Sequence, residues 1–209
     1  VSDGDAHGIK KMAEGIIKNG VTAWCPTTMT VSKKEIENAF DAVREVKNST
    51  EYYGARILGV NSEGPFINPS KKGAQAEENI IEPDFELFKE LNAICPIKLV
   101  DIAPEINGAD EFIKKAKEIC TVSAAHTTAD YSCLHKAIEN GISHATHLYN
   151  AMNGLTSREA GAVGAVLDSN SVTAELICDG IHICEPTLRI TFKALGEDRT
   201  VVISDAMMA

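Results

Sequence analysis

Carboxylate and imidazole side chains stand at or just beyond the ends of several short apolar runs in this sequence. Glu63 comes shortly after one such run, and His126 and His147 stand at the ends of two others. Two imidazoles and one carboxylate are a common ligand set for a catalytic zinc ion, with a further coordination position left for water. Asp205 follows another run, and a free carboxylate beside such a water is a candidate general base. If the fold brings these side chains together, they predict metal-assisted hydrolysis.

Each of these side chains also has a plain structural interpretation. A histidine near a strand end often makes only structural hydrogen bonds, and Asp205 could cap a helix. Glu105 and Asp179 could each hold a loop, and we keep that interpretation for Glu105. His144 and His147 are three positions apart, so on a strand they face opposite sides and only one can point inward. His147 lies nearer the carboxyl end of its run and is the candidate ligand.

The elements that must position these residues follow from an alternating pattern. Short β-branched apolar runs are separated by charged segments whose apolar residues have helical spacing. Strands this apolar are typical of a parallel sheet that is covered on both faces. The predicted strands are 21–25, 56–60, 97–102, 121–125, 143–148, 172–178 and 200–204. The predicted helices include 5–19, 33–47, 84–93, 109–119, 131–140 and 185–195.

Two parallel α/β architectures fit this pattern, a doubly wound sheet and a closed barrel. A doubly wound sheet usually carries a glycine-rich phosphate-binding turn after a strand, and neither GxGxxG nor GxxxxGK[ST] occurs here. We therefore expect a (β/α)8 TIM-like barrel forming a single catalytic domain over residues 1–209. Seven strands are predicted and no initiating Met is present, so we interpret Val1 as an internal position, with an eighth strand before it.

Composition bounds the partners and the compartment. The 209 residues include 20 basic and 30 acidic side chains, a net charge of −10, which argues against nucleic-acid and anionic-membrane partners. No apolar stretch is long enough to span a bilayer. The six cysteines form no CxxC pair, which is typical of reduced thiols in a cytoplasmic protein.

Several motifs occur together along nearly the whole chain. They are GVTAWCPTT, LGVNSEGPFINPSKKGAQ, DIAPE, AAHTTADY, HATHLYNAMNGLTSREAGAVGA, ICDGIHI and ISDAM. THLYNAM is a specific signal when REAG begins eleven residues after His147 and DGIH follows further on, whereas EGPF alone is weak. With these motifs the sequence resembles the N-acetylglucosamine-6-phosphate deacetylases of the amidohydrolase superfamily.

The resemblance implies a distorted barrel together with a small β-sandwich domain built from flanking segments. It implies that Glu63, His126 and His147 hold a divalent metal, commonly zinc, with iron, manganese or cobalt as alternatives. It assigns the acid/base role to Asp205. An HxH pair on the family's first strand would lie before Val1, so one ion and two ions both stay open. The family further suggests a homodimer.

The resemblance also implies which residues bind the sugar phosphate. Arg158 has an independent chemical reason, because a guanidinium can grip two phosphate oxygens and the chain is otherwise acidic. Gln75 stands where the family has a histidine that contacts the substrate carbonyl, and Asn61 also replaces a family histidine. A Gln amide can donate a hydrogen bond but carries no proton charge. The full predicted set is Ala74, Gln75, Asn150, Ala151, Arg158, Asp179 and His182.

Three functions remain open at this point. The first is metal-dependent hydrolysis of N-acetyl-D-glucosamine 6-phosphate to D-glucosamine 6-phosphate and acetate, in amino-sugar catabolism. The second keeps the amidohydrolase chemistry on another N-acetylated sugar phosphate or a cyclic amide, because Asn61 and Gln75 depart from the family pattern. The third is a non-catalytic sugar-phosphate-binding relative, and the presence of Asp205 beside a complete ligand set argues against it.

Overall fold

The computed structural model describes residues 1–206 and is built around a curled sheet of seven parallel strands, a half-barrel. The strand order is β2-β4-β5-β6-β7-β8-β9, so the strands of this sheet lie side by side in the order in which they occur along the chain. A doubly wound sheet would reverse direction at a switch point, so the barrel-type prediction is confirmed. The strands are β1 (Ala23–Trp24), β2 (Thr27–Thr28), β3 (Arg56–Ile57), β4 (Val60–Ser62), β5 (Ile97–Ile102), β6 (Thr121–Ala124), β7 (Ile142–Ala145), β8 (Thr173–Ile177) and β9 (Thr200–Ile203).

Helices connect the strands, and several begin at side-chain caps. Ser32 and Glu35 form a reciprocal capping box at the start of α2. Asp84 and Asp130 cap α3 and α5 by accepting backbone N–H groups. Across residues 1–206, no helix is both long and apolar enough to cross a membrane. The helices are α1 (Ala6–Ile16), α2 (Lys33–Asn48), α3 (Phe85–Ile94), α4 (Ala109–Ala116), α5 (Tyr131–Asn140), α6 (Gly161–Asp168) and α7 (Glu185–Leu195).

The structure differs from the first two predicted strands. The prediction for 21–25 contains β1 but not β2, which lies beyond it, and the prediction for 56–60 is divided into β3 and β4. Pro26 lies between β1 and β2, where it has no N–H to donate, although its carbonyl accepts from the backbone of Asn61 at 3.0 Å. Gly59 lies between β3 and β4, and a Cβ there would stand 2.3 Å from the carbonyl oxygen of Pro96. The later pieces, β2 and β4, join the main sheet, while β1 pairs with β3.

Helix α6 was absent from the predicted elements. Its sequence is GAVGAVLD, and residues 161–166 are all buried. A helix that is buried on all sides over most of its length shows no amphipathic spacing, so periodicity gives no signal for it. A Cβ on Gly161 would lie 2.6 Å from two backbone carbonyl oxygens, and one on Gly164 would lie 2.4 Å from the Cβ of Ala160. The glycines thus allow close packing at the start of this helix.

Residues 207–209 lie outside the described part of the chain. They include Met207, the last residue of the predicted ISDAM motif. The prediction of a single catalytic domain over residues 1–209 therefore stays a prediction, as do the expected neighbouring segments.

Candidate active site

The structure brings Glu63, His126 and His147 together at the carboxyl ends of β4, β6 and β7. The Nε2 atoms of His126 and His147 lie 2.9 and 3.7 Å from Oε1 of Glu63, and 3.2 Å from each other. The exposed fractions of these side chains are 13% for Glu63, 7% for His126 and 4% for His147. One ligand atom from each residue lies within 4.8 Å of the other two. We call these three residues the Glu-His-His cluster.

Strained backbone marks this edge of the sheet. Among residues 1–206, the non-glycine residues with positive φ are His126 (45°), His147 (34°), Tyr149 (80°), Ala151 (51°) and Asp205 (47°). All of them follow the carboxyl ends of β6, β7 or β9. Residues other than glycine rarely adopt a positive φ, and such backbone strain concentrates at functional sites. It also corrects one assumption, because β7 ends at Ala145 and His147 lies on the turn beyond the strand rather than on the strand.

The donor atoms of the cluster suit a cation. His126 Nδ1 lies 2.7 Å from the carbonyl oxygen of Lys71, which can only accept, so Nδ1 carries the hydrogen. In the neutral ring, Nε2 then presents a lone pair to the cluster. This lone pair faces a second imidazole nitrogen, on His147, and a carboxylate oxygen of Glu63. Nδ1 of His147 is buried without a hydrogen-bond partner in the described structure. Such a set of acceptors needs a shared proton or a metal ion, so the residues fit a divalent cation.

Burial and mutual charge shift the protonation of the cluster. Burial would raise the pKa of Glu63, but hydrogen bonds and charges from His126 and His147 outweigh it and lower that pKa to about 2. Burial would lower the pKa of His147, but the hydrogen bond and charge of Glu63 raise it to about 9. Without an ion, the site therefore holds a proton on the imidazole side at neutral pH. A metal ion has to replace that proton.

Asp205 follows β9 and is an exposed residue on a strained backbone. Partial burial of its carboxyl and the negative charge of Glu63 raise the pKa of Asp205 above its ordinary value. The same carboxyl raises the pKa of His147. These mutual effects mean that the charges of Asp205 and the cluster influence each other. The acid/base role of Asp205 stays a prediction.

Two acidic residues in the strands were missed by sequence reasoning. Asp101 of β5 is fully buried and accepts from the hydroxyl of Thr146 at 2.6 Å. Burial first, and then the charge of Glu63, raise the pKa of Asp101 well above its usual range, which favours the neutral acid. Glu175 of β8 lies 3.4 Å from Nε2 of His144. The only sequence signal for both is an acid inside an apolar run, in IKLVDI and VTAELIC.

Glu175 also links His144 to the cluster. One carboxylate oxygen of Glu175 faces His144, and the other accepts from the backbone N–H of His147 at 3.4 Å. Its backbone carbonyl accepts from Leu148 at 2.9 Å. His144 additionally lies 2.6 Å from the hydroxyl of Thr173. His144 is therefore a buried histidine held by two side-chain contacts, and Glu175 holds the turn that carries His147.

The predicted substrate-binding residues occupy two turns beyond the cluster. Asn150 donates to the carbonyl oxygen of His147 at 3.2 Å, and the carbonyl of Ala151 accepts from Thr127 at 3.0 Å. Asp179 accepts from the backbone of His182 at 2.9 Å and pairs with Nδ1 of that ring at 2.7 Å. Hydrogen bonds from the backbone and ring of His182, and then from Ile181, lower the pKa of Asp179 to about 2. The second turn is therefore held by one carboxylate.

The other predicted residues differ sharply in exposure. Ala74 and Arg158 are exposed, and within residues 1–206 no carboxylate lies within ion-pair distance of Arg158. Gln75 is buried, and its amide donates to Oε1 of Glu63 at 2.9 Å. Glu105, interpreted as a loop-holding residue, accepts from the backbone of Thr128 at 2.6 Å. Binding roles for Ala74, Gln75 and Arg158 stay predictions.

Comparison with known proteins confirms the resemblance. No protein-family model matches the chain. It is 38% identical over 203 residues to an N-acetylglucosamine-6-phosphate deacetylase of Bacillus subtilis, covering 95% of this chain and 51% of that protein. It is 32% identical to an N-acetylgalactosamine-6-phosphate deacetylase of Escherichia coli O157:H7, covering 100% of this chain and 56% of that protein.

A solved structure gives the same result for the fold. The crystal structure of N-acetylglucosamine-6-phosphate deacetylase from Thermotoga maritima matches 94% of this chain and 53% of that one, with a TM-score of 0.85 and 30% sequence identity. The chain thus spans about half the length of the relatives that it matches.

Proposed function

We propose that this chain acts in the hydrolysis of N-acetyl-D-glucosamine 6-phosphate to D-glucosamine 6-phosphate and acetate. It is similar in sequence and fold to N-acetylglucosamine-6-phosphate deacetylases, over about half the length of each. The observation that carries this proposal is the Glu-His-His cluster, whose ligand atoms converge within 4.8 Å. Asp205 supports the proposal as the candidate acid, because Glu63 raises its pKa and its charge raises the pKa of His147. An amidohydrolase needs both of these parts.

Oε1 of Glu63 and the Nε2 atoms of His126 and His147 would hold the metal. We propose zinc, because two imidazoles and one carboxylate form a common catalytic zinc set, with iron, manganese and cobalt as alternatives and one or two ions possible. When bound, such an ion lowers the pKa of a coordinated water to about 7 and polarises the acetyl carbonyl oxygen. The hydrogen bond that Nδ1–H of His126 donates to the carbonyl oxygen of Lys71 fixes this ligand ring in its ligating tautomer.

Asp205 would move the proton. Its carboxylate takes a proton from the attacking water and later delivers it to the amine nitrogen, which is too basic to leave as an anion. Desolvation and the charge of Glu63 raise its pKa, and a raised pKa makes the carboxylate a stronger base. The left-handed backbone at this residue, with φ of 47°, sets the direction of the side chain.

The phosphate and the sugar would bind on the exposed turns. Arg158 has no competing carboxylate in the described structure, so its guanidinium is available to grip two phosphate oxygens. Asp179 accepts from Nδ1 of His182, and this leaves Nε2 of that ring to face the substrate. Asn150 and Ala151 lie on the turn after β7, close to the ligand His147.

The test is release of acetate from N-acetylglucosamine 6-phosphate, with and without a chelator. We expect activity that the chelator abolishes and that added metal restores. The Asp205→Asn variant should lower kcat by about 10²–10⁴-fold, the usual contribution of general acid–base catalysis. Asp198→Asn changes an exposed acid just before β9 and serves as the matched control. Full activity in Asp205→Asn would remove the assigned acid/base.

A second substrate is favoured by one specific observation. Two of the relatives are named N-acetylgalactosamine-6-phosphate deacetylases, both at 32% identity, which is comparable with the 31% and 33% of two relatives named N-acetylglucosamine-6-phosphate deacetylases. The two sugars differ at one hydroxyl, and a site that hydrogen-bonds that hydroxyl can discriminate strongly. Comparing kcat/KM for the two sugar phosphates decides between them.

We further propose a cytoplasmic homodimer, as the resemblance implies. The six cysteines are free thiols in the structure, which suits a reducing compartment. Size-exclusion chromatography with light scattering measures the number of subunits, and a monomer at working concentration would contradict the dimer.

A further inference from the structure

Gln75 links the Glu-His-His cluster to the loop after β2. It is only 3% exposed, although it is a polar residue in a loop. Its Nε2 lies 2.9 Å from Oε1 of Glu63 and 3.5 Å from Nε2 of His126. Its Oε1 accepts from the backbone N–H of Thr30 at 2.6 Å. Both ends of one amide are therefore used inside the protein.

The chemistry of the partners fixes which way the amide points. A backbone N–H can only donate, so the atom of Gln75 that faces Thr30 must be the carbonyl oxygen. The opposite end is then the NH2 group, which is the correct partner for the carboxylate of Glu63. The hydrogen bond from Gln75 to Glu63 is the stronger of the two that this amide makes, because its acceptor is an ionised carboxylate.

The local backbone is shaped to permit this contact. Gly64 directly follows Glu63 and has φ of 82°. A Cβ at Gly64 would lie 2.0 Å from Oγ1 of Thr30 and 3.3 Å from Oε1 of Gln75. The absence of a side chain at Gly64 therefore lets the Thr30 loop approach closely enough for Gln75 to bridge it to Glu63.

We propose that Gln75 is a positioning residue that holds the Glu63 carboxylate in its metal-binding orientation. This inference rests on the proposed metal site but not on the substrate. A carboxylate ligand that lacks such a donor is free to rotate, and partners of this kind typically change metal affinity or activity by about 10–100-fold. The role differs from the substrate contact expected at this position, because the buried amide is already bonded to Glu63 and Thr30.

The experiment measures metal affinity rather than turnover. Purified protein is stripped of metal and titrated with Co²⁺ in competition with a chromophoric chelator, and the visible absorption of bound Co²⁺ reports the ligand geometry. Gln75→Leu removes both hydrogen bonds at similar size, while Gln75→His keeps one acceptor and one N–H donor. Asn68→Ala is the matched control, since this amide bonds Glu105 and Thr128 and not the cluster.

We expect Gln75→Leu to weaken Co²⁺ binding by about 10–100-fold and to alter the Co²⁺ spectrum. Gln75→His should restore much of the affinity, and Asn68→Ala should bind like the unaltered protein. Circular dichroism confirms folding, and Gln75→Met, which also lacks a donor, replaces the leucine variant if that one unfolds. Equal affinity in Gln75→Leu and the unaltered protein, or in Gln75→Leu and Gln75→His, would overturn the positioning role. Failure of the unaltered protein to bind Co²⁺ would instead overturn the metal site itself.

Discussion

The two sides of the half-barrel mouth differ in how they are built. On the side of β4 to β7, the Glu-His-His cluster is buried and its side chains are at most 13% exposed. On the side of β8 and β9, the ring of His182 is 49% exposed and the carboxylate of Asp179 37% exposed. The first side is fixed by contacts among several strands and loops, whereas the second is a turn held by its own hydrogen bonds. Metal binding and substrate binding should therefore respond separately to mutation.

The largest effect should come from a ligand on the buried side. Glu63→Gln keeps the shape of the side chain but removes the charge that pairs with both imidazoles. We expect metal affinity to fall by more than about 100-fold, beyond the range typical of residues that only support a ligand. Isothermal titration with Zn²⁺ measures it. Glu82→Gln, an exposed acid far along the same loop, is the control, and unchanged affinity in Glu63→Gln would show that the cluster is not the metal site.

The two sides also differ at their left-handed glycines. Gly64→Ala adds a Cβ at 2.0 Å from Thr30 and forces alanine to φ of 82°. We expect a loss of unfolding free energy on the order of 3 kcal/mol, the sum of strain and overpacking. Gly180→Ala has φ of 76° but an open environment, so only about 1–2 kcal/mol should be lost there. Urea unfolding measures both, and equal losses would contradict the close packing at Gly64.

In the presence of a chelator, the stability of the protein should depend on pH differently for the two sides of the mouth. The pKa of His147 is raised to about 9, so its contribution is complete below about 6.5 and is lost as pH rises through 9. The pKa values of Glu63 and Asp179 are lowered to about 2, so their contributions are present above about 4.5 and are lost as pH falls toward 2.

The melting temperature should therefore decline from pH 6.5 to pH 9 in the unaltered protein and much less in Glu63→Gln. Asp179→Asn, on the exposed side, should leave that alkaline decline in place. Differential scanning calorimetry across this range measures the effect. The same alkaline decline in Glu63→Gln would show that the ion pair of the cluster does not cause it.

The smallest effect should come from the exposed turn. Asp179→Asn weakens the bond that orients His182 without touching the cluster. We expect KM for the sugar phosphate to rise by about tenfold, equivalent to about 1.4 kcal/mol of binding, while Zn²⁺ affinity stays constant. Steady-state kinetics and metal titration on the same preparation measure both quantities. A parallel loss of metal affinity would break the separation between the two sides.

The sequence predicted the later strands well and the early ones poorly. The runs that became β5, β6, β8 and β9 contain no proline or glycine, and each forms one strand. The prediction for 21–25 missed β2, which begins after Pro26, and the run 56–60 is divided at Gly59, where the carbonyl of Pro96 leaves no room for a side chain. Periodicity shows neither feature. Helix α6 was missed because every residue from 161 to 166 is buried.

The site was partly predictable for a similar reason. Glu63, His126 and His147 could be found because parallel strands deliver their carboxyl ends to one edge, and the structure does bring them together. Asp101 and Glu175 were missed because their roles depend on which side chains the neighbouring strands and turns bring to them. The contact between Gln75 and Thr30 joins positions 45 residues apart, and no local pattern encodes that distance.

The left-handed backbone at His126, His147, Tyr149, Ala151 and Asp205 has a consequence for engineering. A glycine would relax each of these positions, so directed evolution for heat resistance should sample them early. The gain would be misleading, because the same torsions aim the imidazoles and the acid. Thermal stability and catalytic activity therefore conflict at this edge of the sheet. Stabilising substitutions are better sought on the helices that surround the sheet.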